Sequence, residues 1–159
     1  MVQAINANPL KRALRLDKMT LAALAEVLRL YRHPEALPEQ LPTLRQLTRP
    51  LAELEELAGR LQPAVNNALS PHYKVSASAA ASQIGSGALP VENIPTMCLR
   101  ITPAANGDAA LRDLTAALRD LPTPVIGRLH QGSLWLDLRC LEDEQALSSQ
   151  LQALRSRLA

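Results

Sequence analysis

Apolar residues recur at helical spacing in two N-terminal stretches of the chain. The first stretch predicts a helix capped by Thr20 and ended by Pro34, with its stripe at Leu21, Leu24, Leu28 and Tyr31. The second predicts a helix capped by Thr48, with Pro50 in its first turn, which Pro63 kinks or ends. The apolar stripe of this helix is formed by Leu51, Leu54, Leu57 (or Ala58) and Leu61. Four prolines between residues 34 and 50 mark the connector.

Beyond residue 72 the period of the pattern changes. Residues 73–81 and 97–102 alternate between apolar and polar positions and predict two strands. Residues 125–130 and 134–138 predict two more, joined by a tight turn at Gln131-Gly132. Asn106-Gly107-Asp108 opens one helix between these strand pairs. Acidic residues 142–144 open a last helix, whose stripe is Leu147, Leu151, Leu154 and Leu158.

The element order is therefore α, α, then β–β–α–β–β–α. A helix with one apolar stripe must cover the apolar face of a sheet. We therefore expect an α/β chain of the α+β type, with a small, mainly antiparallel sheet and helices on one face. Three segments follow: a basic segment at 1–16, a helical lead-in at 17–71 and a C-terminal domain at 72–159.

Charge is distributed unevenly along this plan. Residues 1–50 hold eight Lys or Arg against four Asp or Glu, a net of +4, whereas residues 51–159 hold nine against eleven, a net of −2. The positive field thus lies at the N-terminal end. The chain's net charge of +2 is small for a general nucleic-acid binder, and three aromatic residues are too few to build the stacking platforms that bind single strands.

A complete catalytic set is absent from the sequence. His33, His72 and His130 show no metal-ligand spacing, and no nucleophile elbow or phosphate-binding glycine loop occurs. Lysines 11, 18 and 74 are poor candidates for a Schiff base, which needs a desolvated pocket. Cys98 and Cys140 are expected to be reduced thiols. No signal peptide and no membrane-spanning apolar run is visible, so a cytoplasmic protein is expected.

Two features of the sequence are candidates for ligand binding. Arg12 and Arg15 share one face if their segment is helical, and two adjacent guanidinium forks suit a phosphate or carboxylate. A solvated basic turn is the alternative. The second feature is the loop with Ser82, Gln83, Gly85 and Gly87, whose glycines allow close backbone approach to a ligand. An ordinary connection between two strands is its alternative.

Several segments together resemble the C-terminal region of bacterial selenocysteine synthase, L-seryl-tRNA(Sec) selenium transferase. They occur in family order and are NPLKRALRLDKMT with LAALAEVLRLY (8–31), LPTLRQLTRP (41–50), SQIGSGALPV (82–91), LPTPVIGRL (121–129) and LWLDLRCLEDE (134–144). The combination is specific, although each segment alone is not.

The resemblance implies a type I pyridoxal-phosphate fold and the conversion of seryl-tRNA(Sec) to selenocysteinyl-tRNA(Sec) with selenophosphate, in a large homo-oligomer. It places the cofactor-bearing lysine upstream of this chain, so an isolated fragment is expected to be inactive and to bind no pyridoxal phosphate. Arg12 and Arg15, in the family's KRALR motif, are then expected to hold an anionic substrate group. The resemblance also implies that Ser82, Gln83, Gly85 and Gly87 belong to a loop after the first strand that reaches toward the substrate.

Two other functions remain open. One is a non-catalytic oligomerisation or tRNA-docking module, with which the basic N-terminal region is compatible. The other is a domain of a different type I pyridoxal-phosphate enzyme, since several such enzymes share the architecture.

Overall fold

A computed structural model describes residues 1–84, 93–105 and 107–158. The chain divides into two compact units, Met1–Arg45 and Gln46–Ala159. The boundaries drawn from the sequence, between residues 16 and 17 and between residues 71 and 72, stay predictions.

The first unit is helical. It contains α1 (Val2–Ala7), a 3-10 turn (Pro9–Lys11), α2 (Lys18–Leu30), a second 3-10 turn (Pro34–Ala36), α3 (Leu37–Gln40) and the start of α4 (Pro42–Thr48). The cap of α2 is Asp17, so the prediction of Thr20 is wrong. The Asp17 carboxylate accepts hydrogen bonds from the amides of Met19 and Thr20 at 2.8 and 3.0 Å, and Thr20 lies within the first turn. A carboxylate placed before the helix satisfies two N–H groups that a helix leaves unpaired.

The apolar stripe of α2 is exposed to solvent. Its large side chains keep 39–58% of their surface accessible, at Leu21, Leu24, Val27, Leu28 and Tyr31. Among the large hydrophobic side chains of residues 1–45, Leu37 is the buried one. An amphipathic helix of this kind gains its stability from a surface that covers its apolar face.

The second unit is built on a four-stranded antiparallel sheet. After the long helix α5 (Leu51–Leu69) come β1 (Tyr73–Ser82), β2 (Ile94–Pro103), α6 (Asp108–Arg119), β3 (Arg128–His130) and β4 (Ser133–Asp137). Two short helices follow, α7 (Glu144–Ser149) and α8 (Leu151–Leu158). The spatial order of the strands is β1-β2-β4-β3. The predicted α/β class, with its antiparallel sheet and β–β–α–β–β–α order, is confirmed.

Two details of that prediction are wrong. The third strand covers three residues instead of 125–130, and the last helix is interrupted at Gln150. At the interruption, the buried Gln150 side-chain amide exchanges two hydrogen bonds with the backbone of Thr123, at 3.1 and 3.0 Å.

The helix α5 starts later and runs further than expected. Pro50 precedes its first residue and no side chain caps it, whereas Thr48 ends α4, so the predicted Thr48 cap is wrong. Pro63 lies inside the helix without ending it. The proline is exposed, and the buried residues Leu61 and Val65 on either side pack into the core. This packing offsets the hydrogen bond that the proline removes.

The core lies between the sheet and its helices. Leu99, Ile101 and Leu134 of the central strands are fully buried. The helical side is supplied by apolar residues at helical spacing, namely Leu54, Leu57, Leu61, Val65, Leu69, Leu111, Leu114, Leu118, Leu147, Leu151 and Leu154. The side chain of Leu158, the last member of the predicted stripe, lies outside those described. Within the described ranges, no helix has both the length and the hydropathy needed to cross a membrane.

The hairpin between β3 and β4 has the predicted tight turn. Gln131 and Gly132 both have positive φ, at 47° and 65°, as a type I′ turn requires. Just before β3, Gly127 lies so close to β4 that an added Cβ would be 2.6 Å from Leu136 Cδ2 and 2.8 Å from the Trp135 carbonyl oxygen. Only a residue without a side chain fits there.

We expect Gly127→Ala to lower the free energy of unfolding by about 2 kcal/mol, because the backbone of β4 must move to admit the methyl group. Gly59→Ala is the matched control. Gly59 lies within α5 with no atom within 4 Å of an added Cβ, so this change should raise stability by about 0.5–1 kcal/mol. Urea denaturation measures both, and equal effects would contradict the close approach.

Candidate functional site

Residues 9–15 of the basic segment form a helical turn ahead of α2, which we call the basic turn. The Asn8 side chain accepts a hydrogen bond from the Leu10 amide at 2.9 Å and starts the 3-10 turn. The turn continues because the Leu14 amide bonds to the Leu10 carbonyl at 3.1 Å and the Arg15 amide to the Arg12 carbonyl at 3.4 Å. Arg12 and Arg15 are therefore one turn apart, and both side chains are exposed. Their guanidinium groups are available to an anion.

Asp17 ends this basic segment and begins α2. The Thr20 hydroxyl donates to Asp17 Oδ2 at 2.6 Å, and this bond, followed by the Thr20 amide, lowers the pKa of the Asp17 carboxyl. A lowered pKa means that the cap favours folding above the carboxyl's unfolded pKa. The contribution is lost as pH falls through the lower, folded value. At neutral pH the Asp17 carboxylate is therefore ionised and caps α2 directly after the turn that carries Arg12 and Arg15.

The second predicted set lies at the end of β1. Ser82 is the last residue of the strand and Gln83, which follows it, is exposed. Gly85 and Gly87 lie outside the described residues. The Ser82 hydroxyl donates to Asp137 Oδ2, at the end of β4. Ser82 is thus held against the sheet, whereas the Gln83 side chain faces solvent.

Asp137 anchors more than Ser82. Its Oδ1 atom accepts from the Thr96 hydroxyl at 2.8 Å and from the Arg139 amide at 3.0 Å. Thr96 is 1% exposed, so its hydroxyl has little access to water as an alternative partner. One carboxylate therefore joins the ends of β1, β2 and β4 at the base of the predicted loop.

Arg139 completes this arrangement from inside the protein. Although it is only 4% exposed, its guanidinium donates to the carbonyl oxygens of Gln46, Leu47 and Arg49 at 3.0–3.2 Å, and to that of Pro95. Two of these carbonyls belong to the last turn of α4. The sequence analysis assigned no role to Asp137 or Arg139, although a charged pair inside the apolar run LWLDLRCL was a usable signal of buried polar contacts.

The two cysteines differ in their exposure. Both cysteines are free thiols, Cys98 buried and Cys140 exposed. Burial raises the pKa of the Cys98 thiol to about 11, with a smaller contribution from the Asp137 charge, so it is protonated at neutral pH and a poor nucleophile. In the part of the chain that the structure describes, no cluster of His, Cys, Asp and Glu suits a metal ion.

The basic turn and the Ser82–Asp137 cluster belong to different compact units. Comparison with known proteins relates both to one family, since the family model of L-seryl-tRNA selenium transferase (SelA) matches residues 1–142. The chain belongs to the L-seryl-tRNA selenium transferase family. Both sets of candidate residues lie within the matched range.

Individual relatives agree with this assignment. The chain is 56% identical over 147 residues to an L-seryl-tRNA(Sec) selenium transferase of Klebsiella pneumoniae, covering 91% of this chain and 31% of the relative. It is 52% identical over 154 residues to the protein of that name from Methylocella silvestris, covering 97% and 33%. An Escherichia coli relative is 52% identical over 145 residues. The chain spans about a third of the length of these curated relatives.

We expect Asp137→Ala to lower the free energy of unfolding by about 2–3 kcal/mol, because the buried Thr96 hydroxyl and two further donors lose their acceptor. Asp113→Ala removes an exposed carboxylate from α6 and should change stability by less than about 0.5 kcal/mol. Urea denaturation of both variants provides the comparison. An Asp137 effect as small as that of Asp113 would show that the carboxylate does not anchor the strand ends.

Proposed function

We propose that this chain is the C-terminal part of a cytoplasmic enzyme that converts seryl-tRNA(Sec) to selenocysteinyl-tRNA(Sec) with selenophosphate. The observation that carries the proposal is the family match over residues 1–142, which includes the basic turn. This match favours a selenium transferase over the other pyridoxal-phosphate enzymes of the same architecture. The match leaves about two thirds of the relatives' length uncovered, and we propose that the corresponding part of the full-length enzyme supplies the reaction centre.

The residues of this chain do not fit the covalent attachment of pyridoxal phosphate. A Schiff-base lysine is activated by a desolvated pocket or a nearby cation. The three lysines, Lys11, Lys18 and Lys74, are all exposed. We therefore assign the cofactor to the remainder of the full-length enzyme, and we infer no chemical step on it from this chain.

The proposed role of the basic turn is to bind the anionic selenium donor. Arg12 and Arg15 lie one turn apart with exposed guanidinium groups, and each guanidinium can donate two parallel hydrogen bonds to a phosphate-like group. The Asp17 cap, two residues further on, holds the end of the turn at the start of α2. The turn thus presents two forks without contributing a nucleophile or a base.

In the full-length enzyme, we expect Arg12→Gln and Arg15→Gln each to lower kcat/KM for selenophosphate about 10- to 100-fold. This follows from the loss of one charge-assisted interaction of about 1.5–3 kcal/mol. Affinity for seryl-tRNA(Sec) should change little. Arg32→Gln, which removes an exposed charge of the same unit, is the control and should leave both quantities near wild type.

The second candidate function is a docking or assembly module. Two observations favour it, namely the net charge of +4 over residues 1–50 and the exposed apolar stripe of α2. It predicts the reverse result in the same experiment, because Arg12→Gln and Arg15→Gln would weaken tRNA binding while selenophosphate use stayed intact. That result would replace the anion-binding role with the docking role.

A further inference from the structure

The sheet face opposite the helices carries two arginines and a tryptophan in one cross-strand row. The register pairs Arg100 of β2 with Trp135 of β4, and Trp135 with Arg128 of β3. Directly opposed residues of antiparallel strands project from the same face. The Arg100 and Arg128 guanidinium carbons lie 5.4 and 6.0 Å from the centre of the Trp135 ring. The indole therefore separates two cations.

Other polar groups hold this row in place. The Trp135 indole N–H donates to the His130 carbonyl at 3.1 Å, and the Arg100 Nε donates to the Ser133 hydroxyl at 3.1 Å. His130 packs edge-on against the indole, at 6.2 Å between ring centres. We call this surface, made of Arg100, Arg128, His130 and Trp135, the tryptophan face.

The positive charge of the tryptophan face has no ion-pair partner among the residues that the structure describes. Within the described ranges, neither Arg100 nor Arg128 lies within ion-pair distance of a carboxylate. Asp137, the carboxylate further along β4, already accepts hydrogen bonds from Ser82, Thr96 and the Arg139 amide. A guanidinium held by a π face keeps most of its N–H donors for an anion.

The spacing of the row favours a polyanion over a single small anion. Arg100 and Arg128 lie on strands two positions apart in the sheet, so their backbones are separated by roughly 10 Å. With the Trp135 indole between them, the two guanidinium groups are spaced to bind separate phosphates of one polyanion. They differ in this respect from Arg12 and Arg15, which lie one turn apart.

We propose that the tryptophan face is a docking surface for the phosphate backbone of an RNA. The choice of RNA over another polyanion rests on the proposed function. Arg100 and Arg128 each contact a phosphate, and Trp135 keeps the two guanidinium groups apart and oriented. This contact adds a positioning surface for the RNA substrate that is separate, in residues and in ligand, from the anion-binding turn.

The test uses the 159-residue chain and a fluorescently labelled, unacylated tRNA. The variant Arg100→Gln/Arg128→Gln is compared with Arg119→Gln/Arg155→Gln, which removes two exposed charges from α6 and α8. We expect the first to weaken tRNA binding at least about tenfold at low salt and to reduce the slope of log K against log salt by about two. The control should bind like wild type.

Two further measurements tie the binding to this face. Arg128→Gln alone, at an exposed position, should reduce the salt slope by about one, which guards against unfolding of the double variant. Trp135 is the chain's single tryptophan, so its fluorescence should change as tRNA binds to wild type.

Three results would overturn the proposal. They are no tRNA binding by the wild-type chain, equal weakening in both double variants, and a Trp135 response that millimolar inorganic phosphate reproduces. The last result would indicate a small-anion site. None of them bears on the Arg12 and Arg15 experiment, which changes other residues and measures selenophosphate use. A failure of this proposal can therefore be distinguished from a failure of the proposed function.

Discussion

The buried guanidinium of Arg139 is the contact on which the second unit's arrangement most depends. An ion taken out of water costs several kcal/mol unless its donors are satisfied. Here four backbone carbonyls accept from the two terminal nitrogens, three from residues 46–49 and one from Pro95, and only Nε is left without a partner among the described residues. The carbonyls at the end of α4 also carry the negative end of the helix dipole, which favours a cation. Arg139 thereby joins the segment before α5 to the start of β2.

This contact connects the fold with its candidate sites. The chain runs from β4 through Asp137 to Arg139 in three residues. The Asp137 carboxylate accepts hydrogen bonds from Ser82 and Thr96. The Arg139 guanidinium donates to the backbone that leads into α5. The apolar side of the same sheet packs under α5 and α6, so its opposite side is left to the tryptophan face. The strand ends and the tryptophan face therefore belong to the same sheet.

Periodic patterns predicted those elements whose stability comes from an apolar stripe. The strand alternation around Val75 and Leu99, and the type I′ turn at Gln131-Gly132, are local signals that tertiary packing reinforces. The patterns were wrong at helix boundaries that depend on individual side chains. Asp17, not Thr20, caps α2, and α5 continues past Pro63 because Leu61 and Val65 are buried in the core.

The candidate sites divide in the same way. The Arg12 and Arg15 spacing is readable from the sequence because both lie in one turn. The Asp137–Ser82 bond joins residues 55 positions apart, and the pairing of Arg100 with Trp135 joins residues 35 positions apart (135 − 100), so only the strand register brings them together. Gly127 shows the same limit, since nothing local reveals how closely it approaches β4.

The most direct test of this account is the stability of Arg139→Lys. A lysine ammonium has three donors on one nitrogen and does not reach carbonyls on both sides as the guanidinium does. We predict a loss of about 3 kcal/mol in the free energy of unfolding by urea denaturation. Arg112→Lys, at an exposed position of α6, should change it by less than about 0.5 kcal/mol. Equal stability of the two variants would contradict the central role of Arg139.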